Sequence, residues 1–177
     1  MKTRDMTLIA AATALLCLAG PLSIAVGPIP LSLASFGVYL AGSVLGSKRG
    51  TLAVALYLLI GCIGVPVFSG FSGGFQKLAG VTGGYLVGYL PCAFFAGLGV
   101  AGAPHRWKLP LMLVAGTFVL YLIGTVWFMV QTGNGLAGAL GVCVIPFLPG
   151  DGMKIVAASV LTPAIRRGIR GAFRSPA

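Results

Sequence analysis

The chain has 177 residues, of which 58% are hydrophobic and only 8% charged, whereas a soluble domain carries about 25% charged residues. A water-exposed surface cannot be covered from this composition, and apolar runs of about 20 residues recur, each long enough to cross a hydrocarbon core about 30 Å thick. The net charge of +10 does not indicate nucleic acid, because the basic residues punctuate apolar runs instead of gathering on a soluble face with stacking aromatics between them.

In chain order, the first apolar run follows Lys2 and Arg4 and extends from Met6 to about Val26. Its charged start and apolar middle also fit a signal peptide, but no clear small-x-small cleavage site follows, so a retained span is the preferred reading. Further spans are expected over Leu31 to Leu45, Thr51 to Phe68, Ala79 to Val100, Leu109 to Gln131 and Leu136 to Ile165. The expected fold is all-α: a polytopic membrane protein with six transmembrane helices, residues 1–177 forming a single integral membrane domain.

Six spans put Lys2, Arg4, Lys48, Arg49, Arg106, Lys108, Arg166, Arg167, Arg170 and Arg174 on one side, which is ten of the twelve basic residues. The positive-inside rule makes that side cytoplasmic, so both termini are expected to face inward. Lys77 and Lys154 are the exceptions, in or near the outward half. The turns agree with this division: Gly27-Pro28-Ile29-Pro30 closes the first outward connection and Gly46-Ser47-Lys48-Arg49-Gly50 the first inward one. The outward segment Ser69 to Leu78, SGFSGGFQKL, is longer and richer in glycine than a hairpin needs, and is expected to fold over a binding site as a lid.

Only two acidic residues exist, Asp5 and Asp151. Asp151 follows Pro149-Gly150 at the start of the last span, and Lys154 stands three residues later on the same helix face. Asp in a first turn can be a plain helix cap. A cap needs no lysine buried one turn inside, however, and ionisable groups at membrane depth usually face a polar cavity or a ligand. A carboxylate accepts N–H donors and an ammonium attracts an anion, so the pair suits a small ligand carrying both features. A proton relay is the weaker alternative, since no second acid or histidine accompanies the pair within the membrane.

Other motifs yield no chemistry. Gly70-Phe71-Ser72-Gly73-Gly74 fits the G-x-S-x-G nucleophile pattern, but the only histidine, His105, falls in an inward loop across the bilayer. Gly97-Leu98-Gly99-Val100-Ala101-Gly102 fits the dinucleotide fingerprint but follows no strand. There is no phosphate-binding G-x-x-x-x-G-K-[ST] run, so a transport task would need energy from a partner or a gradient. Cys17, Cys62, Cys92 and Cys143 lie inside apolar stretches and read as small core residues, with neither metal nor disulfide spacing. Small residues at four-residue spacing mark close helix contacts: Ala10 and Ala14 on the first span, and Gly80, Gly84 and Gly88 on the fourth, the latter read as internal packing.

The segments Gly27-Pro28-Ile29-Pro30, Gly61-Cys62-Ile63-Gly64-Val65-Pro66-Val67-Phe68, Gly80-Val81-Thr82-Gly83-Gly84-Tyr85-Leu86-Val87-Gly88-Tyr89 and Pro149-Gly150-Asp151-Gly152-Met153-Lys154 occur in an order that resembles the BioY family, the biotin-specific substrate-capture subunits of energy-coupling factor (ECF) transporters. The likeness covers nearly the whole chain. It implies a six-helix bundle that performs no covalent chemistry, needs no cofactor, and binds biotin in an outward pocket covered by the loop before the fourth helix. It also implies a prokaryotic cell-membrane location and, as partners, a transmembrane coupling subunit and two cytoplasmic ATPase subunits. Residue by residue it points to Asp151 and Lys154 at the ligand's polar groups, Tyr85 along the pocket, Gln76 in the lid, and Ala10 and Ala14 at the coupling subunit. The second helix departs from the pattern, with Ala34-Ser35 where a polar Gln-Thr-like pair is implied, which counts against a pocket contact there. The alternatives are a capture subunit for another vitamin and a bundle whose task is only to bind another membrane protein.

Overall fold

A computed structural model describes residues 3–26, 29–102 and 107–172. The expected turn at Gly27-Pro28, the loop carrying His105 and Arg106, Lys2, Arg174 and the side chain of Arg170 lie outside the described residues. The described chain is a helical bundle with one small hairpin: α1 (Thr3–Ala19), β1 (Ser23–Val26), β2 (Ile29–Ser32), α2 (Ala34–Leu45), α3 (Ser47–Cys62), α4 (Phe75–Ala79), α5 (Gly83–Leu98), α6 (Lys108–Thr132), α7 (Leu136–Cys143) and α8 (Leu148–Ala172).

The expected span Leu109 to Gln131 appears as α6 with one further residue at each end, and α6 is the one described helix that by itself is long and apolar enough to cross a membrane. Elsewhere the helices are shorter than expected, for local reasons. Pro21 disfavours helical backbone at the residue before it, so α1 stops at Ala19 and the chain turns into the antiparallel hairpin, Ser23 opposite Ser32 and Val26 opposite Ile29. Beyond α3, Gly64 takes a left-handed φ of 106° just before Pro66, which ends the helix where an apolar run suggested continuation. The last expected span is two helices, α7 and residues 148–169 of α8, bent by 50°. Pro146, between them, lacks the N–H that a continuous helix needs; Pro149 falls in the first turn of α8, where that N–H is not required.

α5 packs along α6 and also touches α2 and α3, while α8 lies against α2. Two of the three small residues of the fourth expected span, Gly84 and Gly88, sit in the first of these interfaces, while Gly80 lies before α5, at the end of α4, where an added Cβ would meet only Gln76 O and Lys77 O. A Cβ on Gly84 would overlap the Trp127 Cβ, and one on Gly88 would lie 2.8 Å from Leu120 Cδ1, so these glycines let α5 approach α6 closely, as internal packing requires. Tyr39, Tyr57, Phe68, Leu113, Val38 and Val54 form a fully buried centre. Two polar links cross it. The Thr117 hydroxyl donates to Leu113 O at 2.8 Å, leaving its oxygen to accept from Tyr39 OH at 2.7 Å, and Ser43 and Thr162, both fully buried, share a hydrogen bond of 2.7 Å.

The outer surface is apolar. Val114, Phe118, Leu122, Val126 and Val130 follow one another at four-residue spacing along α6, each more than half exposed. Such a stripe is unfavourable in water and natural against lipid tails. Basic residues gather at one end of the bundle: Arg49 and Asp5 are paired at 2.9 Å across α1 and α3, and Arg166 of α8 reaches Val100 O beyond α5. The hairpin, α4 and the starts of α2, α5 and α8 lie at the opposite end.

Glycine contact supplies a controlled test. Gly84→Ala is expected to destabilise the bundle by about 1–3 kcal/mol through overpacking against α6. Gly138→Ala, where an added Cβ meets nothing within 4 Å, should be neutral or stabilising because Ala is the better helix former by about 1 kcal/mol. Thermal unfolding in detergent compares the two; equal melting temperatures would count against this interface.

Candidate functional site

The end opposite the basic cluster encloses a pocket, open at its mouth, lined by side chains of β2, α2, α4, α5, α6 and α8. Its walls are largely apolar and aromatic: Ile29 from β2, Phe68, Tyr85, Leu86 and Tyr89 from α5, Leu120 from α6 and Phe147. Polar groups lie on the floor and at the mouth.

The floor is built by the start of α8. Asp151 N donates to Phe147 O at 2.8 Å, which closes the first turn and aims the side chain inward. The carboxylate is 5% exposed and does not act as a helix cap. Oδ1 accepts from Lys154 Nζ at 2.9 Å and, at a longer 3.5 Å, from Ser35 Oγ; Oδ2 accepts from Tyr121 OH at 2.6 Å. The Lys154 ammonium has three protons, and three acceptors surround it: Asp151 Oδ1, Ser35 Oγ at 2.8 Å and Ser32 O at 2.9 Å. One carboxylate and one ammonium thus tie together β2, α2, α6 and α8, and their charges cancel locally. This is how a buried ion pair must be arranged to be tolerated, with its remaining protons and lone pairs satisfied.

The mouth is formed by the segment expected to cover a site. Phe68 and Ser72 form a short bridge, with mutual backbone hydrogen bonds of 2.8 and 3.3 Å, and α4 follows. The far end of α4 is held to α6, where Trp127 Nε1 donates to Gly80 O at 2.9 Å and Gln131 Nε2 to Ala79 O at 2.8 Å. Ser69 and Lys77 face the pocket from this segment.

The structure therefore brings Asp151, Lys154 and Tyr85 to one pocket, Tyr85 with its hydroxyl donating to Cys143 O at 3.0 Å. Gln76 is exposed and is not part of the lining, which takes the neighbouring Lys77 instead. The low expectation for the second helix is corrected, because Ser35 contacts both members of the ion pair. Tyr121 was not singled out in the sequence, where it is one apolar-span aromatic among several. Ser72 donates to Ser69 O at 2.8 Å, a turn contact with no catalytic character. Ala10 and Ala14 lie exposed on α1, while Ile9, Thr13 and Leu16 face the core. The four cysteines are free and, among the described residues, no cluster of metal-binding side chains occurs.

Removing the Tyr121 hydroxyl tests the floor. Tyr121→Phe keeps the ring and deprives a buried carboxylate of one donor, which should lower stability by about 1.5–3 kcal/mol, the usual value for a hydrogen bond to a charged group. Unfolding in detergent reads the effect, and an unchanged midpoint would show that the contact is not maintained in solution.

Residues 1–171 match the model of the BioY family. The chain is 39% identical to the probable biotin transporter BioY of Pyrococcus horikoshii, over 94% of this chain and 98% of that one. It is also 39% identical to the biotin transporter BioY of Thermotoga maritima, over 88% and 91%. Its fold superposes on a crystal structure of the S-component for biotin from an ECF-type ABC transporter with a TM-score of 0.86 at 28% identity, covering 94% of this chain and 95% of that one. Apolar surface, fold and sequence agree that this is a membrane protein and that it belongs to the BioY family.

Proposed function

We propose that this protein captures biotin with high affinity in the pocket above Asp151 and Lys154, and carries it across the membrane when energised by an ECF module. The observation that carries the reading is the buried, hydrogen-bonded Asp151–Lys154 pair on the floor of an otherwise apolar pocket. Biotin has an apolar body, two ureido N–H donors and a carboxylate. An ionised carboxyl group has about four acceptor positions, of which Asp151 commits three, one of them to the long Ser35 contact. It thus keeps capacity for a ligand N–H, and the aromatic and aliphatic walls suit the rings and chain. Covalent chemistry plays no part, and the relatives are transporters.

In this reading the basic end faces the cytoplasm of a prokaryote and the pocket faces outward, an orientation that the positive-inside rule supports. The energising partners would be a transmembrane coupling subunit and two cytoplasmic ATPase subunits. The exposed Ala10 and Ala14 on α1 offer the close-approach surface that a neighbouring transmembrane helix needs.

Asp151→Asn and Lys154→Met should each weaken biotin binding about ten- to a hundredfold, the range for loss of one charge-assisted contact. Calorimetry on detergent-purified protein measures this, with thiamine as the comparison ligand. Tight one-to-one binding of biotin without a thiamine signal supports the assignment. A folded wild-type sample that ignores biotin would sink it, and wild-type affinity in both variants would remove the pair from the site.

A further inference from the structure

Lys77 is the pocket's second cation, and its circumstances differ from those of Lys154 in every respect. Lys154 sits on the floor with each ammonium proton directed at an acceptor and its charge matched by Asp151. Lys77 sits at the mouth, on α4; its backbone N–H donates to Gly74 O at 3.1 Å, but its ammonium makes no hydrogen bond or ion pair among the described residues. The composition sharpens the contrast. The chain has only two acidic side chains, Asp5 paired with Arg49 at the far end and Asp151 paired with Lys154. Neither acidic side chain remains for Lys77.

The pocket therefore carries one uncompensated positive charge, at its mouth, above an electrically neutral floor. Its position is not left to a mobile loop, because the residues just after Lys77 are fastened to α6 through Trp127 and Gln131. A partly buried ammonium facing an apolar cavity is poorly screened, so it favours a ligand that brings a negative charge to that end.

We propose that Lys77 is the specificity-determining contact for the carboxylate of the bound ligand, with the neutral polar head of the ligand seated on the floor at Asp151. The proposal rests on the capture reading given above and divides the labour between the two cations: Lys154 keeps the floor ionised and in register, and Lys77 selects for acids over neutral derivatives. The competing use of a lysine near the outward surface is to place its charge among lipid headgroups. That use gives no preference between an acid and its amide.

The experiment compares biotin with biotinamide, nearly the same in shape but uncharged, by calorimetric titration of wild type, Lys77→Met and Lys77→Arg. Wild type is expected to prefer biotin by about ten- to a hundredfold, as for one charge-assisted contact. Lys77→Met should bring biotin down to the affinity of the amide while binding of the amide is kept, which also shows that the variant is folded. Lys77→Arg should retain the preference. Equal affinity of wild type for acid and amide, or a preference that persists in Lys77→Met, overturns the role of Lys77 and leaves biotin capture intact. Absence of binding by either ligand to folded wild type overturns both.

Discussion

The ion pair between Asp151 and Lys154 is the constraint around which the rest of the molecule is arranged. Two opposite buried charges attract strongly in a poor dielectric, yet their desolvation cost can exceed that attraction unless every remaining proton and lone pair finds a partner. Here the partners come from four elements. Ser32 of β2 and Ser35 of α2 receive the lysine, Tyr121 of α6 donates to the carboxylate, and α8 supplies both charges one turn apart. Any rearrangement that separates these elements leaves a charge unsatisfied, so the pair specifies how the pocket end of the bundle closes.

The irregular pieces of the fold are consequences of that requirement. A continuous last helix would carry Asp151 in mid-helix; the break at Pro146 lets α8 begin at Leu148, so that Asp151 falls in a first turn that enters the pocket floor. The hairpin returns Ser32 to the same place, where its backbone carbonyl meets Lys154 and its hydroxyl donates to Gly20 O at 2.9 Å. Further down, Tyr39–Thr117 and Ser43–Thr162 repeat the device on the faces α2 turns to α6 and α8. Residues 35, 39 and 43 are four apart and share one helix face. Hydrocarbon surroundings supply no hydrophobic force between helices, so directed hydrogen bonds and close glycine contacts hold the register that apolar burial would hold in water.

Much of this was legible in the sequence. α6 was readable almost to the residue because both ends carry clear signals, Pro110 in its first turn and the left-handed Gly133 just past its last residue, whereas the first span was overextended and the last was read as continuous because hydropathy registers apolar character and not backbone direction. A strand hairpin of Ile, Ala, Val and Leu is as apolar as a helix. The Asp151–Lys154 spacing was readable because rarity made it conspicuous, two acids in the whole chain. Tyr121 and Ser35 were not conspicuous: a tyrosine in an aromatic-rich span and a serine in a small-residue helix acquire meaning only when folding brings residues 30 and 116 positions away in the chain against them. Gln76 and Lys77 show a finer limit. Adjacent residues on a five-residue helix point about 100° apart, and which one faces the pocket depends on how α4 docks on α6, a tertiary fact with no local signal.

One helix governs both ends of the pocket. α6 presents Tyr121 to the floor and, further along, Trp127 and Gln131 to the segment that forms the mouth. Trp127 and Gln131 are four residues apart and Tyr121 lies six before Trp127, a rise of about 9 Å at 1.5 Å per residue. A shift of α6 relative to α8 would lengthen the 2.6 Å contact to Asp151 and displace the carbonyls of Ala79 and Gly80 together. Floor and mouth are thus mechanically joined through a helix whose other face, Phe118 to Val130, is exposed. What presses on that face reaches both the carboxylate that would hold a ligand and the short helix that covers it.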